Sequence, residues 1–245
     1  NLLSLVNHEY ERLNSVKKIQ YNGVPKRDKY DKILYNLFNV DYDFIKLLNQ
    51  NLIKEIAMNR LNDPYYKFLP KNKPNYCLSY YNARSSGKKL DLHIDSHMPY
   101  LSDRIIAMQF VFLLEESSVE NGCSTAVPGS HKSGRFTDRS LTELSNLTGS
   151  PGDLVIWDSR LWHGTNENIS KKSRWALIAT LSPWWIKPGV DVVRSVKKNI
   201  YNQCKDEEKR LLGFCSIPPT DIFERINTKT GYDFLKSNLD NYKFI

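Results

Sequence analysis

Cysteine is scarce: Cys77, Cys123, Cys204 and Cys215 are the four in 245 residues, far apart and without a C-x-x-C pair. That spacing excludes a disulfide framework or a zinc knuckle as the organising device, and it sets the expectation of reduced thiols in a cytoplasmic protein. Long apolar runs are also missing. The longest, IIAMQFVFLL at 105–114, is interrupted by Gln109. It is about half of the roughly 20 residues that a membrane helix needs, so it reads as a buried strand and no membrane span is expected. No basic segment followed by an apolar one opens the chain, so no secretory address is read, although Asn1 leaves open what precedes it. Internal repeats and low-complexity segments are absent, and no linker is long enough to divide the chain.

What is present begins with charge. Lys and Arg outnumber Asp and Glu by 35 to 27, a formal net charge of +8. The basic residues are scattered as pairs, such as Lys17-Lys18, Lys88-Lys89, Lys171-Lys172 and Lys197-Lys198. No basic run is interleaved with aromatics in the manner of a single-strand-binding platform, so the charge reads as a solvated surface rather than a nucleic-acid footprint. An anionic small molecule is compatible with it.

Residues 1–20 and 41–61 carry apolar positions at helical spacing, with Asp41 or Asp43 as the N-cap of the second segment. From about 75 to 186 the pattern changes to short β-rich runs separated by turn residues: NYCLSYYNA, LDLHI, RIIAMQFVFLL, STAVP, GDLVIWD, LWHGT and RWALIATLSPWW. Close-spaced short strands of this kind predict a sandwich or barrel rather than alternating βαβ units. After Pro188 the chain is mixed, with a helical turn or two in DEEKRLLGF. The expectation is one domain over 1–245, with a helical flank at 1–70, a β core at 71–188 and an extension at 189–245.

The chemistry-bearing residues sit in that β-rich stretch. His93 and Asp95 are two apart, a spacing that on a strand points both side chains to one face. A second histidine from a distant strand would complete two imidazoles and a carboxylate, the set that holds non-haem Fe(II) with open positions for a co-substrate and oxygen. Of five histidines, His8 falls in the first helix and reads as a surface residue, and His97 and His131 read as structural residues or as supports behind the ligands rather than as ligands. His163, at the end of a β-rich run beside a glycine, suits a ligand. Eleven residues later Arg174 opens an apolar strand. A desolvated guanidinium needs a partner, and its planar fork matches a carboxylate. Together these residues suggest a dicarboxylate that chelates a metal at one end and meets Arg174 at the other. Tyr80, Tyr81, Trp157, Trp162 and Trp184 are candidates to line the pocket or to pack the core.

Three segments in order resemble the phytanoyl-CoA dioxygenase family of Fe(II)- and 2-oxoglutarate-dependent oxygenases. HIDSHMPY looks like its H-x-D motif. VENGCSTAVPGSHKSG (119–134) looks like its E-N-G-C…P-G-S-H-K segment. GDLVIWDSRLWHGTNENISKKSRWAL (152–177) looks like its G-D…H-G-S-x-x-N-x-S…R segment. The resemblance covers roughly residues 75–188. It implies a mainly β fold, a double-stranded β-helix (a cupin-like jelly roll) flanked by N-terminal helices, with the metal between two sheets. It also implies His93, Asp95 and His163 as iron ligands and Arg174 as the partner of the distal carboxylate of 2-oxoglutarate. By the same resemblance Thr165 stands where the family often has Ser and adds a hydrogen bond to the co-substrate. Gln109, polar inside an apolar strand, either faces the co-substrate or is a satisfied core amide. Family members that halogenate have a small residue in place of the carboxylate; Asp95 therefore argues for hydroxylation or a related C–H oxidation of a small molecule, with Fe(II), 2-oxoglutarate and O2 consumed and succinate and CO2 released. Two other readings stay open from sequence: a jelly-roll binding protein with a vestigial site, and an oxygenase acting on nucleic acid.

Overall fold

The structure, a computed structural model, describes residues 1–15, 32–66, 71–85, 87–96, 98–138, 140–141, 143–170, 172–218 and 221–223. Residues 16–20 of the predicted first helix, and His97, lie outside them. The chain divides into two compact units, Asn1–Val40 with Tyr81–Thr180, and Asp41–Tyr80 with Leu181–Ile245. Among the described residues no helix is long and apolar enough to cross a membrane.

Among the described residues nine strands form two sheets. The first, in the order β1 (Lys32–Leu34), β2 (Tyr76–Ser85), β9 (Ala176–Pro183), β4 (Met108–Leu113), β7 (Leu154–Asp158), has five strands. The second has four, in the order β3 (Leu90–His93), β8 (His163–Thr165), β5 (Ser124–Ala126), β6 (Ser145–Leu147). Strand β4 is buried at every position, which is why its sequence is a continuous apolar run rather than an alternation. Period-2 alternation sorts its neighbours. Val111 and Leu113 of β4, Trp157 of β7 and Ala176 of β9 form one buried cluster, against which Val155, Ile178, Leu161 and, from the four-stranded sheet, Leu147 pack. The core of the first unit therefore lies between the two sheets, each fully buried Val or Leu contributing about 1.5–3 kcal/mol. This is the jelly-roll architecture that the strand pattern and the resemblance predict.

Helix α1 (Leu2–Ser15) buries Val6 and Tyr10, one turn apart, and leaves His8 exposed. Tyr10 meets Trp175 edge-on with ring centroids 5.5 Å apart, and the Trp175 indole donates to Asn7 Oδ1 at 2.9 Å. In the second unit, α2 (Tyr42–Leu48) is capped by Asp41, whose carboxylate accepts from Asp43 N at 2.8 Å. The single helix predicted over 41–61 is two, because Gln50 is extended and starts α3 (Asn51–Leu61) afresh. Beyond Pro188 come the short helices α4 (Val192–Ser195), α5 (Lys198–Tyr201) and α6 (Asp206–Leu211). Glu208 of α6 is buried and accepts from Tyr42 Oη at 2.8 Å and Asn49 Nδ2 at 3.3 Å. Cys77, Cys123 and Cys204 are buried, and no disulfide joins them.

Candidate metal centre

The two histidines face each other across one strand pair. His93 closes β3, His163 opens β8, and the antiparallel register sets them directly opposite, with ring centroids 4.2 Å apart. Each ring donates its Nδ1 proton to a backbone carbonyl two residues earlier, His93 to Asp91 at 3.0 Å and His163 to Leu161 at 2.9 Å. A carbonyl can only accept, so in the neutral ring Nε2 keeps its lone pair, the tautomer a metal needs.

Both Nε2 atoms face one carboxylate. Asp95 Oδ1 lies 3.7 Å from His93 and Oδ2 lies 3.3 Å from His163. The three ligand atoms fall within 4.8 Å of one another. Asp95 is just past the end of β3, so strand alternation alone does not aim it. Instead, Ser159 O accepts from both Asp95 N at 2.9 Å and Ser96 N at 3.0 Å, folding the chain back toward β8. The loop that follows is tied down by Arg160, which grips Asp158 with Nε and Nη2 at 3.0 and 2.7 Å and donates to Ser102 O at 2.7 Å. Burial holds the His163 imidazole below its usual pKa, and neighbouring His93 pushes the same way, although Asp95 pulls it back up. His163 is thereby kept neutral, and protons compete weakly for its Nε2.

Gly164 makes this pairing possible. A Cβ there would collide with the backbone carbonyl of Leu90 on β3, an atom with no rotamer to retreat into. Gly164→Ala is expected to push β3 off β8, carry His93 away from His163, and weaken Co(II) binding about 10- to 100-fold, as loss of ligand orientation does elsewhere. Titration of the cobalt absorption band checks this; unaltered affinity would show that the spacing is not set by Gly164.

Behind the ligands lies a cavity of about 100 Å³ between the sheets, lined by His93, Asp95 and His163, by Thr165 and Trp157, and by Arg84 and Arg174. Its size suits a ligand of a few heavy atoms rather than the roughly 300–1,000 Å³ of a drug-sized site. Arg174 enters from the five-stranded side and His163 from the four-stranded side, so the two face each other from opposite sheets. The backbone around Arg174 is pinned: its N–H donates to Ser85 Oγ at 2.8 Å, and that of Trp175 to Glu115 Oε2 at 2.7 Å. Alternation then sends Arg174 and Ala176 inward and Trp175 outward onto α1.

The Arg174 side chain is almost wholly buried and, among the described residues, its Nε has no hydrogen-bond partner, nor does the buried indole nitrogen of Trp157. Burial lowers the Arg174 guanidinium to about 10, and the neighbouring Arg84 cation adds to the shift. A buried cation in this state costs several kcal/mol, about what a charge-assisted partner would restore. A carboxylate between the sheets satisfies that need, so the donor set fits an anionic co-ligand at one end of the cavity and a metal at the other.

Other predicted residues fall into different places. Thr165 lines the cavity, and its Oγ1 already accepts from Leu90 N at 3.1 Å, leaving its proton to donate. Gln109 is buried on the inner face, but its Oε1 accepts from Thr180 Oγ1 at 2.7 Å and it is not among the residues lining the cavity. Of the aromatic candidates, Trp157 lines the cavity with ring centroids 5.0 Å from His163. Tyr81 is core. Trp184 packs on Tyr66 within the second unit. Arg84 was not anticipated from sequence.

A jelly roll carrying two imidazoles and a carboxylate at one mouth, with a buried cation behind them, has the architecture of a non-haem metal oxygenase. The chain belongs to the phytanoyl-CoA dioxygenase (PhyH) family, whose sequence profile matches residues 14–176. Rv1501 of Mycobacterium tuberculosis is 27% identical over 128 residues, 51% of this chain and 46% of that protein, so the chain spans about half the length of this relative. Among solved structures, HygX from Streptomyces hygroscopicus, with nickel, 2-oxoglutarate and hygromycin B bound, aligns with a TM-score of 0.55 and 19% identity over 76% of this chain and 80% of its own. EctD from S. alaskensis with bound Fe aligns with a TM-score of 0.58 and 15% identity over 76% and 69%. At these identities the two structures establish the shared fold.

Proposed function

We propose that the chain is an Fe(II)- and 2-oxoglutarate-dependent dioxygenase that oxidises an unactivated C–H bond of a small molecule. The observation that carries this is the joint lining of one small cavity by the His93–Asp95–His163 edge and the buried guanidinium of Arg174, whose Nε has no partner among the described residues. Family membership and the co-ligands of HygX support it.

In this reading His93 and His163 present Nε2, and Asp95 supplies the anionic donor. Bound iron would couple oxidative decarboxylation of 2-oxoglutarate by O2, giving succinate and CO2, to insertion of the other oxygen atom into the substrate C–H bond. Arg174 holds the distal carboxylate, Arg84 adds a second positive charge to the same cavity, and Thr165 donates its free hydroxyl proton. Trp157, Val111 and Ile178 supply apolar wall that excludes water and strengthens those ionic contacts.

Anaerobic addition of Fe(II) and 2-oxoglutarate together is expected to produce a weak visible absorption band that neither gives alone, and His163→Ala to remove it. A folded, metal-loaded protein without the band would refute the assignment and leave a binding protein in its place.

A further inference from the structure

The ligand edge separates two cavities. His93 and Asp95 line both the inner one, which holds the arginines, and an outer one of about 420 Å³ whose other walls are Leu92, Ile94, Ser96, Phe136 and Thr137. The outer volume lies within the roughly 300–1,000 Å³ of small-molecule sites. Among the described residues no lysine or arginine lines it; its walls are mixed, with Leu92, Ile94 and Phe136 supplying apolar surface beside the His93–Asp95 edge.

Phe136 is the distinctive wall. It is 65% exposed, although burial of an apolar ring is favourable. Its backbone is nonetheless held on both sides. The carbonyl of Arg135 accepts from the Trp162 indole N–H at 3.2 Å, and the hydroxyl of Thr137 donates to Leu92 O at 3.0 Å. Trp162 is buried, and its own N–H donates to Ser130 Oγ at 2.8 Å. Leu92 and Trp162 each immediately precede a ligand histidine. The two tethers therefore hold the chain on either side of Phe136 close to the residues that precede His93 and His163. Leu101, also exposed, packs against Gly134, two residues before Phe136 in the chain.

We infer that Phe136 is the platform for the primary substrate, and that the substrate presents to it an uncharged ring, alicyclic or aromatic, lying in the outer cavity beside the His93–Asp95 edge. A ring face can lie flat against the exposed phenyl, and such an aromatic contact corresponds to about a three- to tenfold change in affinity beyond the area it buries. The inference rests on the dioxygenase reading, because it takes the shared ligand edge as the metal position.

The test uses Mn(II) as a paramagnetic stand-in for iron, with 2-oxoglutarate and three neutral probes: cyclohexanol, benzyl alcohol and glycerol. Relaxation of the ring protons of the first two is expected to be strongly enhanced by the native protein, glycerol much less. Phe136→Ser should weaken ring binding about three- to tenfold, the contribution of one aromatic contact, and Phe136→Tyr should restore it. The methylene protons of 2-oxoglutarate report the inner cavity in the same samples. Ring enhancement that is absent, or equal in native and Phe136→Ser proteins, while 2-oxoglutarate is relaxed, overturns the inference and leaves the dioxygenase reading standing. If 2-oxoglutarate is not relaxed in the native protein, both fall.

Discussion

Asp95→Ala is expected to abolish 2-oxoglutarate turnover, by about three orders of magnitude or more, the scale on which removal of a metal-centred electrostatic group acts. The carboxylate stands between the two imidazoles, 3.7 and 3.3 Å from their Nε2 atoms, and it is the one anion in the set. Without it a dication would be held by two neutral rings in a partly closed pocket, and its affinity and its open positions would both change. The fold should survive. What places residue 95 is its backbone N–H on Ser159 O, a bond alanine keeps, and the Asp95 side chain is 28% exposed rather than part of the core. Succinate release and a thermal melt, measured together, decide. A stable variant that still consumes 2-oxoglutarate at the native rate removes Asp95 from the centre.

The candidate ligand set was legible because its residues are costly to place anywhere else. A histidine and an aspartate two apart at a strand end, a histidine beside a glycine, and an arginine opening an apolar strand each conflict with ordinary strand composition, and in order they match a family pattern. Arg84 was not legible, for a reason that lies in the strand boundary. The β-rich run read from the sequence, NYCLSYYNA, ends at Ala83. In the structure the strand runs to Ser85, since β1 pairs with it, Lys32 opposite Ser85 and Leu34 opposite Ala83. The partner lies about 50 positions away and its three residues carry no pattern of their own. Once the strand is extended, Tyr81, Ala83 and Ser85 are buried on one face, and Arg84 takes the other. A similar long-range effect shortens β4. Ile105 and Ile106 continue the apolar run, but Ile106 N donates to Tyr100 Oη at 2.9 Å and the Arg160 guanidinium lies 4.5 Å over the Tyr100 ring, so these residues belong to the loop beyond Asp95. Gln109 shows the opposite limit: its polarity was noticed, but only the register with β9 reveals that Thr180 satisfies it.

Arg174→Met should separate function from stability more sharply than any other change. In the ligand-free protein the guanidinium is buried, its Nε unsatisfied, and its pKa depressed to about 10. Below that value the folded and unfolded chains are both charged at this position, so the desolvation penalty is fully present at neutral pH; it eases only as pH rises from about 10 toward the unfolded value. Methionine fills much of the same volume without a charge, and such replacements of buried ions are neutral or stabilising by about 1–4 kcal/mol. The melting temperature of the ligand-free variant is therefore expected to equal or exceed that of the native protein. The response to 2-oxoglutarate should reverse that order. At about 100 times its Kd, a ligand adds about 2.7 kcal/mol to the native fold. Losing the carboxylate's partner costs about 3–5 kcal/mol, a drop in affinity of about 100-fold or more, so the same concentration should scarcely move the variant. Arg174→Lys keeps the charge but loses the fork, and should recover part of the shift. Melts with and without 2-oxoglutarate, at fixed metal, read both effects. An equal ligand-induced shift in native and Arg174→Met proteins would take Arg174 out of the pocket's chemistry and leave Arg84 as the cation that answers the carboxylate.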